Sequence, residues 1–239
     1  MTPALHDLGW LFDLDGVLVD TAGLHLAAWR RLAREALGAD LPPALGTALR
    51  GLSRADSLDR ILAALGRRAD RRERTRLMAL KDGWYRASLA QLGPDHLLPG
   101  ARALLEELAA AGAPTALVSA SRNAPTILAR TGLAGLFAHV VDPATICRGK
   151  PAPDLYLAAA RALARPPRFC IGFEDAPAGI AGLVQAGMAP VAVGLADPRA
   201  ALCVPTLAAL DAATVLDAWR RWIPYRSPDE GLANDCTPM

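Results

Sequence analysis

The chain drives an apolar run straight into two acids: Trp10-Leu11-Phe12-Asp13-Leu14-Asp15-Gly16-Val17-Leu18-Val19-Asp20. Residues two apart along a strand share a side. Asp13 and Asp15 are therefore expected to approach one another at the carboxyl end of a buried strand, the edge where open α/β sheets place their ligands. Two carboxylates about 4 Å apart repel by about 4 kcal/mol at an effective dielectric near 20. Such a pair persists in a fold only when a bound cation, a shared proton or both offset the repulsion.

The rest of the chain supplies a sheet for that strand. From about residue 98 onward, short apolar runs alternate with helical spacing. Strands are expected at 8–14, 114–119, 138–141, 168–173 and 190–193, with helices at 101–109, 125–131, 153–163 and 178–186 between them. That alternation predicts an α/β fold, a Rossmann-like doubly wound parallel sheet with helices on both faces. Residues 21–92 break the pattern and read as helices only. Leu26, Trp29, Ala33, Ala36 and Leu37 recur at helical spacing, as do Leu58, Ile61, Leu62 and Leu65. An all-helical block inserted just after the first strand is a cap over that strand's end. The expected organisation is a core over 1–19 and 95–224, a helical cap over 20–94, and a loose tail over 225–239, where periodicity stops.

With 239 residues, 52% of them hydrophobic and 21% charged, the chain can bury a large core and lacks the polarity of a disordered one. The 26 basic and 24 acidic side chains leave +2, which gives no electrostatic footprint for nucleic acid or an anionic membrane. The arginines between residues 67 and 76 are interleaved with acids and read as a solvated helix face. The four cysteines have no metal-ligand spacing. No signal peptide or membrane-length apolar run is evident, so a cytoplasmic monomer acting on a small molecule is expected.

Further polar groups fall at the same sheet edge. Ser119-Ala120-Ser121-Arg122-Asn123 follows a strand and opens a helix, where free backbone N–H groups suit an anion; Ser and Asn there also serve as plain helix caps. Lys150 is framed by Gly149, Pro151 and Pro153 and suits a phosphate or carboxylate counter-ion. Glu174-Asp175 ends an apolar strand just before another helix. These acids cap that helix or, with Asp13 and Asp15, converge on one crevice. Four carboxylates exceed what Lys150 balances, and an all-oxygen donor set with retained waters fits Mg²⁺ rather than zinc. In such a crevice Asp13 can attack phosphorus and Asp15 can move the proton of the accepting or leaving oxygen.

Together, Asp13-x-Asp15-Gly16-x-x-x-Asp20, Ser119, Lys150-Pro151 and Glu174-Asp175 resemble the four motifs of the haloacid dehalogenase-like hydrolase superfamily, over residues 8–222. The resemblance implies an aspartyl-phosphate intermediate and one Mg²⁺, held by the Asp13 carboxylate, the Asp15 backbone carbonyl and the Glu174-Asp175 pair. Ser119, Ala120 and Lys150 would hold the transferring phosphate. Three cap stretches, around His25 and Trp29, Gly51 to Ser57, and Lys81, are similar to those of the β-phosphoglucomutase branch. That similarity implies that His25 couples the acid/base to cap closure and that Arg54 binds the phosphate not being transferred. It also implies that Trp29, Gly51, Ser53, Ser57, Lys81, Ser121, Arg122 and Asn123 line the sugar-phosphate site. The implied reaction interconverts β-D-glucose 1-phosphate and glucose 6-phosphate through β-glucose 1,6-bisphosphate. A magnesium-dependent sugar-phosphate phosphatase on the same core is the alternative, and a non-catalytic sensor is disfavoured because both acids are present.

Overall fold

The computed structural model describes residues 3–222, so the expected loose tail at 225–239 lies outside the described residues. Among the described residues, six strands form one parallel sheet: β1 (Gly9–Phe12), β2 (Thr115–Leu117), β3 (His139–Val140), β4 (Cys170–Glu174), β5 (Ala189–Val193) and β6 (Leu202–Val204), in the order β3-β2-β1-β4-β5-β6. Chain order runs outward in both directions from β1. The strand that carries the acids thus stands at the switch point, where a crevice opens at the carboxyl edge.

Alternation along β1 explains why it is central. Trp10 and Phe12 enter the apolar cluster on one face, with Leu104, Leu108, Ile127 and Phe173, whereas Leu11 enters the opposite cluster with Leu155, Ala159 and Leu183. Both faces are therefore covered, by α5 (Ala101–Ala110), α6 (Ala124–Thr131) and α9 (Ala212–Trp222) on the first and by α7 (Asp154–Ala162) and α8 (Pro177–Gln185) on the second. Fully buried large side chains each contribute roughly 1.5–3 kcal/mol, and Trp10, Phe12 and Phe173 stack in this core.

The helical segment forms α1 (Ala22–Leu37), the short α2 (Leu45–Ala48), α3 (Arg54–Ala64) and α4 (Arg71–Ser88). It has its own apolar centre of Trp29, Leu32, Ala33, Leu58, Ile61 and Leu77. No helix among the described residues is long and apolar enough to cross a membrane.

Two elements went unexpected. β6 is three residues long at the sheet edge, with Cys203 exposed, too short for a periodic signal. α9 buries Ala212, Val215, Leu216 and Trp219, a helical spacing present in the sequence but not read from it. Strands β1 and β2 are shorter than expected, although the Asp13 and Val118 amides still bond to the strands beside them.

Candidate active site

Register assembles the polar groups. Phe12 lies opposite Leu117 on one side and Phe173 on the other, so the residues that follow these three strands emerge side by side. The Asp13 amide donates to Phe173 O at 3.0 Å, and the Val118 amide donates to Phe12 O at 2.8 Å. The turn after Asp15 depends on Gly16, whose φ of +88° favours glycine and whose Cβ would collide with the Asp175 carboxylate.

Below the crevice lies a buried charge cluster. Lys150 is 1% exposed, and its Nζ donates to Asp13 Oδ1 at 2.8 Å and to Glu174 Oε1 at 2.5 Å. The Tyr156 hydroxyl donates to the same Glu174 oxygen at 2.6 Å. Burial pushes Glu174 up to about 8 against the pull of Lys150, and pushes Asp175 up to about 7 with help from Asp13. Burial likewise raises Asp13, while Asp13 and Glu174 together outweigh burial and raise Lys150. Burial is the largest cause of each carboxylate's shift; three buried carboxylates face one lysine, and the Arg50 guanidinium lies 3.6 Å from Asp175 Oδ2.

Donor chemistry identifies what completes the balance. Glu174 Oε2 and Asp175 Oδ1 are buried without a hydrogen-bond partner, and one ligand oxygen each from Asp13, Glu174 and Asp175 lie within 4.8 Å of one another. Unpartnered buried carboxylate oxygens are costly, and a set of hard oxygens fits Mg²⁺. The Asp15 side chain is not part of this three-acid group. Gly179 on α8 lets the Glu174 carboxylate pass where any Cβ would overlap it.

On the other side of the crevice the environment of Asp15 is the reverse. Thr21 Oγ1 donates to Asp15 Oδ1, His25 Nε2 lies 3.4 Å from the same oxygen, and Ser119 Oγ donates to Oδ2 at 3.4 Å. Burial opposes ionisation, but His25, Thr21 and Lys81 outweigh it and hold Asp15 down at about 2. Lys81 Nζ is 2.7 Å from His25 Nδ1. An ammonium only donates, so a charged Lys81 makes Nδ1 the acceptor and assigns the ring proton to Nε2, facing Asp15. Tyr85 stacks on the His25 ring with centroids 3.8 Å apart, and burial brings Lys81 down to about 7. Two neighbouring carboxylates thus sit in opposed environments, Asp13 raised and Asp15 lowered.

The cap closes over this pair. From the cap, His25, Trp29, Gly51, Arg54, Ser57 and Lys81 line one cavity with Asp13 and Asp15; from the core, Ala120, Ser121 and Asp175 join them. Ser119, Lys150 and Glu174 lie beneath it as buried supports. Ser53 accepts the Asp56 amide as the N-cap of α3 and does not line the cavity. Asn123 donates to Asp82 Oδ1 at 3.0 Å, and Arg122 stands close enough to Arg54 to depress its basicity alongside burial. Sequence reasoning missed Thr21, Arg50, Tyr156 and Asp82. The position of Arg50 beside Gly51 was the available signal for one of them. Tyr156 had none, since it shares the helical spacing of the core.

A model of the haloacid dehalogenase-like hydrolases matches residues 10–187. The chain is 40% identical over 192 residues to the β-phosphoglucomutase of Bacillus subtilis (strain 168), covering 79% of this chain and 84% of that one. It is 37% identical over 187 residues to hexitol phosphatase A of Escherichia coli (strain K12), covering 77% and 82%. The crystal structure of a β-phosphoglucomutase from Clostridium difficile superposes with a TM-score of 0.86 at 33% identity, covering 90% of this chain and 98% of that one.

Proposed function

We infer the reaction from one premise: this chain belongs to the haloacid dehalogenase-like hydrolase family. Its activity is that of a β-phosphoglucomutase, a phosphotransferase that interconverts β-D-glucose 1-phosphate and glucose 6-phosphate. The observation that carries this reading is that Arg54, on the cap, lines the same cavity as Asp13 and Asp15, on the core. A mutase must hold two phosphates about a hexose apart, and a guanidinium offers a planar fork matched to the second one.

In this reading Asp13 is the nucleophile and Lys150 holds it aligned while balancing its charge. Its oxygen forms a bond to phosphorus as the bond to the leaving oxygen breaks, and Asp13 carries the phosphoryl group as an acyl phosphate. Asp15, ionised at rest, takes the proton from the sugar hydroxyl as that oxygen attacks the acyl phosphate. β-Glucose 1,6-bisphosphate results. After the sugar turns over, Asp15 returns the proton to the other departing oxygen. Asp13, Glu174, Asp175 and the Asp15 backbone carbonyl would hold Mg²⁺, which supplies positive charge to the transferring group. Ser119, Ala120 and Lys150 would steady that group, while Ser121, Arg122 and Asn123 serve the distal phosphate with Arg54. Trp29, Gly51, Ser57 and Lys81 would shape the sugar pocket, and the closed cap excludes water. A core over 1–19 and 95–224 with a cap over 20–94, working as a cytoplasmic monomer without nucleic acid, completes the reading; the charge of +2 supports its last part.

Purified enzyme incubated with β-glucose 1-phosphate, Mg²⁺ and a trace of the bisphosphate decides the matter. Glucose 6-phosphate formed without equivalent free phosphate is expected. Stoichiometric free phosphate would instead make the enzyme a phosphatase, the activity named for the hexitol phosphatase relative.

A further inference from the structure

Directly after the buried Lys81, α4 carries a second charged residue that no step above employs. Asp82 Oδ1 accepts from the Arg54 guanidinium at 2.5 Å and from the Asn123 amide at 3.0 Å. Arg54 opens cap helix α3, and Asn123 is the N-cap residue of core helix α6. One carboxylate oxygen therefore joins cap to core. It does so on the guanidinium that lines the catalytic cavity. Arg86 and Arg122 add positive charge around Arg54, so the place is built for an anion. The pair is not sealed: the Asp82 and Arg54 side chains keep 21% and 26% of their exposure, which leaves a path for exchange.

We propose that Asp82 is an internal occupant of the distal phosphate site, holding Arg54 and Asn123 together until the substrate's phosphate displaces it. The assignment rests on the mutase reading and deepens it. A carboxylate and a phosphate offer Arg the same bidentate edge, but the phosphate brings more charge and a further oxygen for Asn123. A dianionic phosphate therefore wins the exchange, whereas an unphosphorylated sugar leaves the contact closed. Asp82 makes the distal site selective by supplying a competitor that only a phosphate removes. If its carboxylate instead served to aim Arg54 at the substrate, removing its charge would weaken binding, so the two roles have opposite signs.

Asp82→Asn keeps the shape and an acceptor oxygen but removes the charge; Asp82→Ala removes both. Binding of inorganic phosphate to the Mg²⁺-loaded enzyme is measured by calorimetry, and KM for β-glucose 1-phosphate by product formation. Phosphate held beside Asp13 adds to the isotherm of all three proteins, so the curves are fitted to two sites and compared at the one that Arg54→Ala weakens. The expected result is at least threefold tighter phosphate binding and a KM lowered by a similar factor in both variants, with kcat changing by less. Affinity within twofold of wild type, or weaker, overturns the proposal. A folding defect confined to one variant, seen by thermal melting, leaves the other to decide. Failure of the wild type to make glucose 6-phosphate would overturn the mutase reading instead, while the calorimetric comparison, which needs no turnover, still decides Asp82.

Discussion

Tyr156→Phe removes a single hydroxyl and tests whether the buried carboxylate cluster is organised as described. The ring is retained, so no cavity opens and the packing of α7 on β1 is unchanged. What is lost is a 2.6 Å hydrogen bond to Glu174, both groups being fully buried. Hydrogen bonds to charged groups contribute about 1.5–3 kcal/mol. Glu174 Oε1 keeps Lys150 at 2.5 Å, so the acceptor is not orphaned and the loss belongs at the low end, about 1.5–2 kcal/mol. For a chain of this size that lowers Tm by roughly 3–8 °C. The pH dependence sharpens the test. Glu174, raised by burial to about 8 in the folded protein, is largely neutral below that pH and ionised above it. The hydroxyl favours the ionised form, so the deficit of the variant should grow from pH 5 to pH 9. Thermal unfolding in chelator at those two values measures it. An unchanged Tm at pH 9, or a deficit largest at pH 5, would refute the reasoning.

Two further outcomes follow from the same site. Asp13→Asn should abolish turnover and the phosphorylated-enzyme mass while leaving the melting transition in place; residual turnover with an intact fold would remove Asp13 from the nucleophile role. For Glu174 and Asp175 the folded values, about 8 and about 7, stand above the ordinary carboxylate range, so the folded state binds more protons than the unfolded one. Stability of the chelated protein should therefore fall as pH rises from about 4.5 to 8, and saturating Mg²⁺ should flatten that slope. Identical pH profiles with and without Mg²⁺ would sink the assignment of these oxygens to a cation.

The core was legible because acids at the ends of apolar strands contradict their surroundings. Asp13, Glu174 and Asp175 stood out for that reason and Lys150 for its frame of glycine and prolines, and the structure brings the four together. Tyr156 contradicts nothing: among Leu155, Ala159 and Ala160 it reads as another core residue, and only tertiary packing aims its hydroxyl at Glu174. Asp82 was hidden in the opposite way, as one more acid on a charged helix. Ser53 carried two compatible signals, a cap motif that resembles a substrate contact and a Ser-x-x-Asp helix start. The local hydrogen bond to Asp56 is the one made here.

The two chain crossings between sheet and helical layer run alongside each other. Asp15 bridges to Val19, Val19 bridges to Leu97, and the Leu98 amide donates to Leu18 O at 2.9 Å. Outgoing and returning segments thus form a two-ply connection, and the outgoing ply begins at Asp15. Val19 touches both segments and Asp15 at once, so a substitution that loosens Val19 or Leu97 is expected to lower kcat without touching a cavity residue, which steady-state kinetics of Val19→Ala would check.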